Sequence, residues 1–345
     1  MIRGFAMTLK DIAQEVGVSV STVSRVLNQP NSTAASPKVR EQIWEVARRS
    51  KYIPNPTARD LRLSIPRSMP LRPLYTLLAC SPEEVRDDPF FLQITSSIER
   101  EAFRNGFSMQ CSYSILDFPR ALSFTGKQQR SQNDLIILGR FDPELLPAAR
   151  KHFQNISYIG LNTLPVDCDQ ILCDGFHAFI DAVRFFYERG HHRIAFIGAE
   201  PENRCQGYLE GLRLCGLPVR DELLIQVDTL SMDSGRSGME QLLSRTRDVT
   251  AVLCANDMVA IGALRACKEQ DICVPEKLSI MGCNDIPNLT YVDPQIGSIH
   301  VPMEEMGRVA VRLLLDRING ALVSPLKVYL PYSIMEREST GPAFV

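Results

Sequence analysis

Leu9, Ile12, Ala13 and Val16 recur at helical spacing, so residues 9–16 predict a short helix with one apolar face. Gly17 permits a sharp turn, and Ser19 fits the N-cap of a second helix whose inner stripe is Val23, Val26 and Leu27. Two short helices joined by a glycine-containing turn make a helix-turn-helix. The opposite side of the second helix carries Val20, Ser21, Thr22, Ser24, Arg25 and Asn28, a small and hydroxyl-rich face of a shape that can enter a major groove. Ser36-Pro37 then offers a cap and a first-turn proline, and Val39, Ile43, Val46 and Ala47 form the stripe of a third helix.

Tyr52–Pro56 breaks this helical pattern, and prolines at 66, 70 and 73 stiffen the linker beyond it. From Leu74 the period changes. Leu74–Cys80, Phe107–Tyr113, Asp134–Gly139, Ile156–Leu161, Arg193–Gly198, Val249–Cys254 and Leu278–Cys283 read as short apolar strands. Amphipathic helices lie between them, including Phe90–Arg104, Phe176–Glu188, Asn203–Leu214, Gly235–Ser244 and Asp257–Gln270. Repeated β–α units imply parallel sheets covered on both faces. The strands are too many for one comfortable sheet, which points to two Rossmann-like subdomains; Leu116–Asn133 does not follow the alternation and is left unassigned.

The run TLKDIAQEVGVSVSTVSRVLN, residues 8–28, resembles the N-terminal signature of the lactose/galactose repressor family. The resemblance continues at GHHRIAFIG (190–198), at Asn256–Ala263, at Val274-Pro275 and at Gly282–Pro287. It implies an α/β protein: a three-helix DNA-binding head at 7–55, a hinge helix and linker at 56–73, and a two-lobed periplasmic-binding-protein-like core at 74–345. Within the core, the first lobe is expected at about 74–162 plus 300–325, and the second at about 163–297 plus 326–341. Ala58, Arg59 and Leu61 match the hinge, where a leucine from each subunit wedges into the minor groove; unstacking a base step this way costs a few kcal/mol, offset by a bent duplex that meets more protein. Val20 and Ser21 occupy the reading positions and Arg25 can donate a bidentate pair to guanine, while Ser19, Thr22, Ser24 and Asn28 suit phosphate oxygens.

For a small-molecule effector, the resemblance implies Arg204 as a grip on ligand oxygens and Asn256 facing a cleft between the lobes. Asp257 fits an N-cap as well as it fits a ligand contact. Asn284 stands where relatives commonly carry an aspartate that binds sugar hydroxyls. Phe90 and Phe91 match an aromatic stacking position, or serve the core, and Arg140 follows a strand end. Together these groups suit a polyhydroxylated molecule such as a sugar, and Asn-Asp-Ile-Pro resembles regulators of galactoside use.

Charge and composition sharpen the picture. The chain has 345 residues and a net charge of −2, but residues 1–67 hold 11 Lys+Arg against 5 Asp+Glu, a net of +6, which leaves −8 for the rest. A basic head on an acidic body is expected if only the head meets phosphates. Ten scattered cysteines with no C-x-x-C pair, few apolar positions in residues 1–7 and no run of transmembrane length imply a reduced cytoplasmic protein. No G-x-x-x-x-G-K-[ST] loop, G-x-S-x-G elbow or H-E-x-x-H motif is present, so an enzyme is not expected. His191 and His192 are adjacent, so on a strand they would face opposite ways, and neither a metal nor a cofactor is expected. The reading is a homodimeric repressor that binds pseudo-palindromic operator DNA under effector control; the rival is a sugar-binding receptor of the same core without DNA binding.

Overall fold

The computed structural model describes residues 9–28, 35–49, 71–115, 118, 133–199 and 202–343, and the chain divides into two units at Pro70 and Leu71. Ala58, Arg59 and Leu61 lie outside the described residues.

The first unit contains α1 (Leu9–Val16), α2 (Val20–Asn28) and α3 (Pro37–Arg49). Ile12, Ala13, Val23, Val26, Ile43 and Ala47 are its buried core, the side chains that the helical spacing selected. Gly17 turns the chain between α1 and α2 at φ +73°, a left-handed conformation that costs a glycine little.

The second unit opens with β1 (Arg72–Ala79), α4 (Pro82–Asp87), α5 (Pro89–Arg104), β2 (Phe107–Ser114), β3 (Asp134–Gly139), α6 (Leu146–Ala149), β4 (Asn155–Gly160) and β5 (Asp169–Cys173). It continues with α7 (Gly175–Glu188), β6 (Ile194–Gly198), α8 (Asn203–Leu214), β7 (Leu224–Gln226), α9 (Met232–Arg245), β8 (Ala251–Cys254), α10 (Asp257–Glu269), β9 (Ser279–Asn284) and β10 (Gly297–His300). The last elements are α11 (Met303–Ile318), β11 (Lys327–Leu330) and β12 (Ser333–Met335). Two sheets result, ordered β11-β5-β4-β3-β1-β2 and β12-β10-β9-β8-β6-β7. All pairings are parallel except β10 with β12. The central strands are buried along almost their whole length, as sheets covered on both faces require.

The lobe boundaries differ from the expected ones. β5 pairs with β4, so the chain crosses to the second lobe at Asp174 rather than between 162 and 163. β11 pairs with β5 in the first sheet, so the last crossing follows Leu330 and not residue 325. β5 carries no apolar signature because its first two residues are polar. Asp169 accepts from Arg317 of α11 at 2.5 and 2.7 Å, and Gln170 exchanges bonds with Leu164 N and O at 2.9 Å each. Those partners make buried polar side chains tolerable, and none is local to the strand.

Helix α8 meets α7 at backbone distance. A Cβ on Gly207 would overlap the Phe176 carbonyl oxygen and lie 2.9 Å from its carbon. We expect Gly207→Ala to lower the unfolding free energy by about 1–3 kcal/mol or more, the range for overpacked sites, measured by urea denaturation of the full chain. An unchanged midpoint would show that the two helices separate freely.

Candidate functional site: the inter-lobe cleft and the helical head

In an open α/β sheet, ligands bind beyond the carboxyl ends of the strands where the strand order reverses. The first sheet reverses between β1 and β3, the second between β6 and β8. The segments that leave these four strands line one narrow cleft. After β1 come Glu84, Asp88, Phe90 and Phe91; after β3, Arg140; after β6, Glu202 and Arg204; after β8, Asn256. β4 adds Asn162 beyond its end, and Asn284 closes β9.

Helix caps place several of these groups. Asp88 caps α5, accepting from Phe90 N at 3.0 Å through Oδ1, while Asn256 caps α10, accepting from Val259 N at 2.9 Å. The free halves of the two caps meet across the cleft: Asn256 Nδ2 donates to Asp88 Oδ2 at 3.1 Å and to Leu230 O at 3.0 Å. Burial raises the Asp88 carboxyl above its ordinary range, against the hydrogen bonds from Phe90 and Asn256. Ser81 and Glu84 form a capping box on α4, and the same Glu84 carboxylate pairs with Arg140. Arg204 donates from Nε and Nη2 to both oxygens of Glu202, and from Nη1 to Ala255 O. Phe90 and Phe91 pack edge to face, both lining the cleft and belonging to the core beneath it.

Two amide oxygens in the cleft, Asn162 Oδ1 and Asn284 Oδ1, are buried with no hydrogen-bond partner among the described residues. Such a group costs about 1–3 kcal/mol and calls for an explanation. Asn284 is held there by a positive φ of 120°, which turns its side chain out of the regular strand path.

Six of the seven expected effector residues are therefore gathered in one place: Phe90, Phe91, Arg140, Arg204, Asn256 and Asn284. Asp257 is not among them. Its carboxylate is buried behind the cleft, where Oδ1 takes the Ser298 hydroxyl at 2.6 Å and Oδ2 takes the Ile286 N–H at 2.8 Å. The cap itself is Asn256, so Asp257 braces the turn after β9 and fills neither of the two expected roles. The sequence reading does not include Glu84, Asp88, Asn162 and Glu202; local signals exist for Asp88, a cap followed by a first-turn proline, and for Glu84, in the Ser81-Pro82-Glu83-Glu84 capping box.

In the head, Thr22 N donates to Ser19 Oγ at 3.1 Å, and Ser19 Oγ lies 2.7 and 2.8 Å from the hydroxyls of Ser21 and Thr22. Ser19 thus works first as the cap of α2. Val20, Ser21 and Arg25 are exposed and Thr22 is half-buried, while Val23 and Val26 face inward. The side chains of Ser24 and Asn28 lie outside the described residues.

His191 is buried and uses both ring nitrogens structurally, at 3.0 Å to Thr250 Oγ1 and 2.9 Å to Gly341 O. Among the described residues, no three His, Cys, Asp or Glu side chains gather as a metal site, and no helix is long and apolar enough to cross a membrane.

Residues 8–55 match the bacterial regulatory proteins of the lacI family, and residues 183–340 match the periplasmic binding protein-like domain. The HTH-type transcriptional repressor PurR of Photorhabdus laumondii is 31% identical over 347 residues, 97% of this chain and 98% of that protein. PurR of Yersinia pestis is 31% identical over 344 residues, 97% of each. Among solved structures, a complex of the transcriptional regulator CelR with cellobiose superposes with a TM-score of 0.71 at 26% identity, covering 97% of this chain and 100% of that one. A ribose-bound LacI-family regulator from Enterococcus faecium has a TM-score of 0.68 at 23% identity over 79% of this chain and 100% of that one, a likeness of fold alone. Relatives that span the head and core together are repressors, which overturns the rival reading of a receptor without DNA binding.

Burial raises the Asp257 carboxyl to about 7, against the bonds from Ser298 and Ile286. The folded state therefore keeps a proton that the unfolded chain, with an ordinary aspartate near ~3.9, releases. This contribution to stability is complete below about pH 4 and is lost as pH rises towards about 7. We expect Asp257→Asn to flatten the fall of the unfolding free energy over that window, followed by urea denaturation at several pH values. Parallel curves for the two proteins would show that Asp257 is charged throughout.

Proposed function

The chain belongs to the lacI family of bacterial regulatory proteins as a DNA-binding transcriptional repressor with an effector-binding core, and on that premise we propose that its effector is a sugar held in the inter-lobe cleft. The observation that carries this is the pair of partnerless amide oxygens, Asn162 Oδ1 and Asn284 Oδ1. An acceptor without a donor is satisfied by a ligand hydroxyl, and the Phe90–Phe91 pair offers an apolar wall beside it. The cellobiose complex of the CelR structure favours the same class. Phe90, Phe91, Arg140, Arg204, Asn256 and Asn284 are the proposed effector contacts.

The repressor acts as a cytoplasmic homodimer on a pseudo-palindromic operator. Two heads enter successive major grooves, with Val20, Ser21 and Arg25 at base edges and Thr22, Ser24 and Asn28 near phosphates. The hinge, with Ala58, Arg59 and Leu61, lies in the minor groove between them. Effector control runs through lobe closure, which the Asp88–Asn256 bond favours. A ligand shifts this equilibrium only by its differential affinity for the two arrangements, typically about 1–3 kcal/mol of coupling.

Two experiments test these assignments. Thermal unfolding of the full chain against galactosides, cellobiose, ribose and other neutral sugars should find a ligand that adds about 2.7 kcal/mol at a hundred times its dissociation constant. Asn284→Ala should remove most of that shift; no response to any neutral sugar would discard the sugar reading. For the head and hinge, an operator selected from random DNA by the intact protein supplies the probe. Leu61→Ala should then weaken operator binding far more than binding to nonspecific DNA, and equal losses would remove the wedge.

A further inference from the structure

We propose that Glu202 makes the cleft selective for uncharged effectors, by filling with its own carboxylate the place that a ligand phosphate or carboxylate would take. The inference rests on the cleft being the effector site, as argued above, but not on which sugar it holds.

Glu202 stands at the N-cap position of α8 and makes no side-chain cap bond. Its carboxylate turns instead to Arg204, in the first turn of the same helix, and takes Nε and Nη2 together in a two-point pair. Both side chains are almost fully buried, Arg204 at 7% and Glu202 at 3% exposure, so water hardly competes with the pair. Nη1 is spent on Ala255 O. A helix N-terminus beside a buried guanidinium is a place that favours an anion. Here the chain supplies that anion itself.

The rest of the cleft has the same balance. Arg140, the other guanidinium among the lining residues, is matched by Glu84. Asp88 adds a carboxylate whose contacts are amides, Asn256 Nδ2 and the Phe90 N–H. Three carboxylates therefore face two guanidinium groups, and each guanidinium has its own partner. Asn162 Oδ1 and Asn284 Oδ1 are buried acceptors still open to a donor. A hydroxyl donor finds partners in this cleft. A phosphate would meet like charge and would have to displace Glu202 from Arg204 to be held.

Inorganic phosphate is the direct probe, since it needs no knowledge of the natural effector. Thermal unfolding of the full chain would be followed over millimolar phosphate at constant ionic strength, with chloride as the control. The wild-type chain should show no shift beyond chloride. Glu202→Ser, which restores an ordinary cap residue to α8, should gain a saturable stabilisation with phosphate affinity raised by about ten-fold or more, the scale of one charge-assisted hydrogen bond. Adding Arg204→Ala to that variant should abolish the gain and so locate it in the cleft. Should Glu202→Ser not fold, Glu202→Gln removes the charge at constant size and is held to the same expectation. Wild-type protein stabilised by phosphate as strongly as the variants, or variants indifferent to phosphate, would overturn the proposal. Failure of every neutral sugar leaves these arms readable and counts against the sugar reading alone. A sugar and its phosphate that stabilise the wild type equally would sink the charge selection while leaving the effector site in place.

Discussion

One hydrogen bond joins the two halves of the cleft: Asn256 Nδ2 to Asp88 Oδ2, at 3.1 Å. Each partner is committed elsewhere, since Asp88 caps α5 and Asn256 caps α10. Asn256 directly follows β8, whereas α4 lies between β1 and Asp88, so the bond links the segments that leave β1 of one sheet and β8 of the other. Both strands flank the point where their own sheet reverses its order, which is where a doubly wound sheet opens a crevice. Movement of one lobe against the other must stretch or break this contact, so the site and the lobe geometry are physically one system.

Around that bond the cleft is electrostatically closed upon itself. Buried charges are tolerated when they are paired and hydrogen-bonded, and Arg204 with Glu202 meets that condition, while the buried Glu84 pairs with the exposed Arg140. The remainder is acceptor capacity and apolar surface. Specificity then comes from the unsatisfied groups: two amide oxygens seek donors, while the Arg204 guanidinium already has acceptors at all three nitrogens.

Much of this was legible from periodicity and local chemistry. α8 covers the residues that its spacing marked, β3 does likewise, and the head's core is the set of apolar residues at helical intervals. Phe90, Phe91, Arg204, Asn256 and Asn284, pointed to by resemblance, and Arg140, pointed to by its place after a strand end, line one cleft, with both phenylalanines also part of the core. The failures share one cause, which is partnership with residues distant along the chain. β5 was hidden because Asp169 and Gln170 are polar residues satisfied by α11 and by the Leu164 turn. Asp257 looked like a cap or a ligand because nothing near it in sequence shows Ser298 and Ile286 reaching its carboxylate.

The sequence by itself determined the three-helix head, the alternating β–α core and the segments that leave the strands towards a ligand, because helix and strand periods and caps are local properties of neighbouring residues. Only the tertiary structure decided that Glu202 neutralises Arg204, that Asp88 meets Asn256 and that Asn162 and Asn284 are left unpaired. These outcomes depend on which strand ends face one another after two sheets have formed, and no local pattern encodes the orientation of a side chain across a cleft.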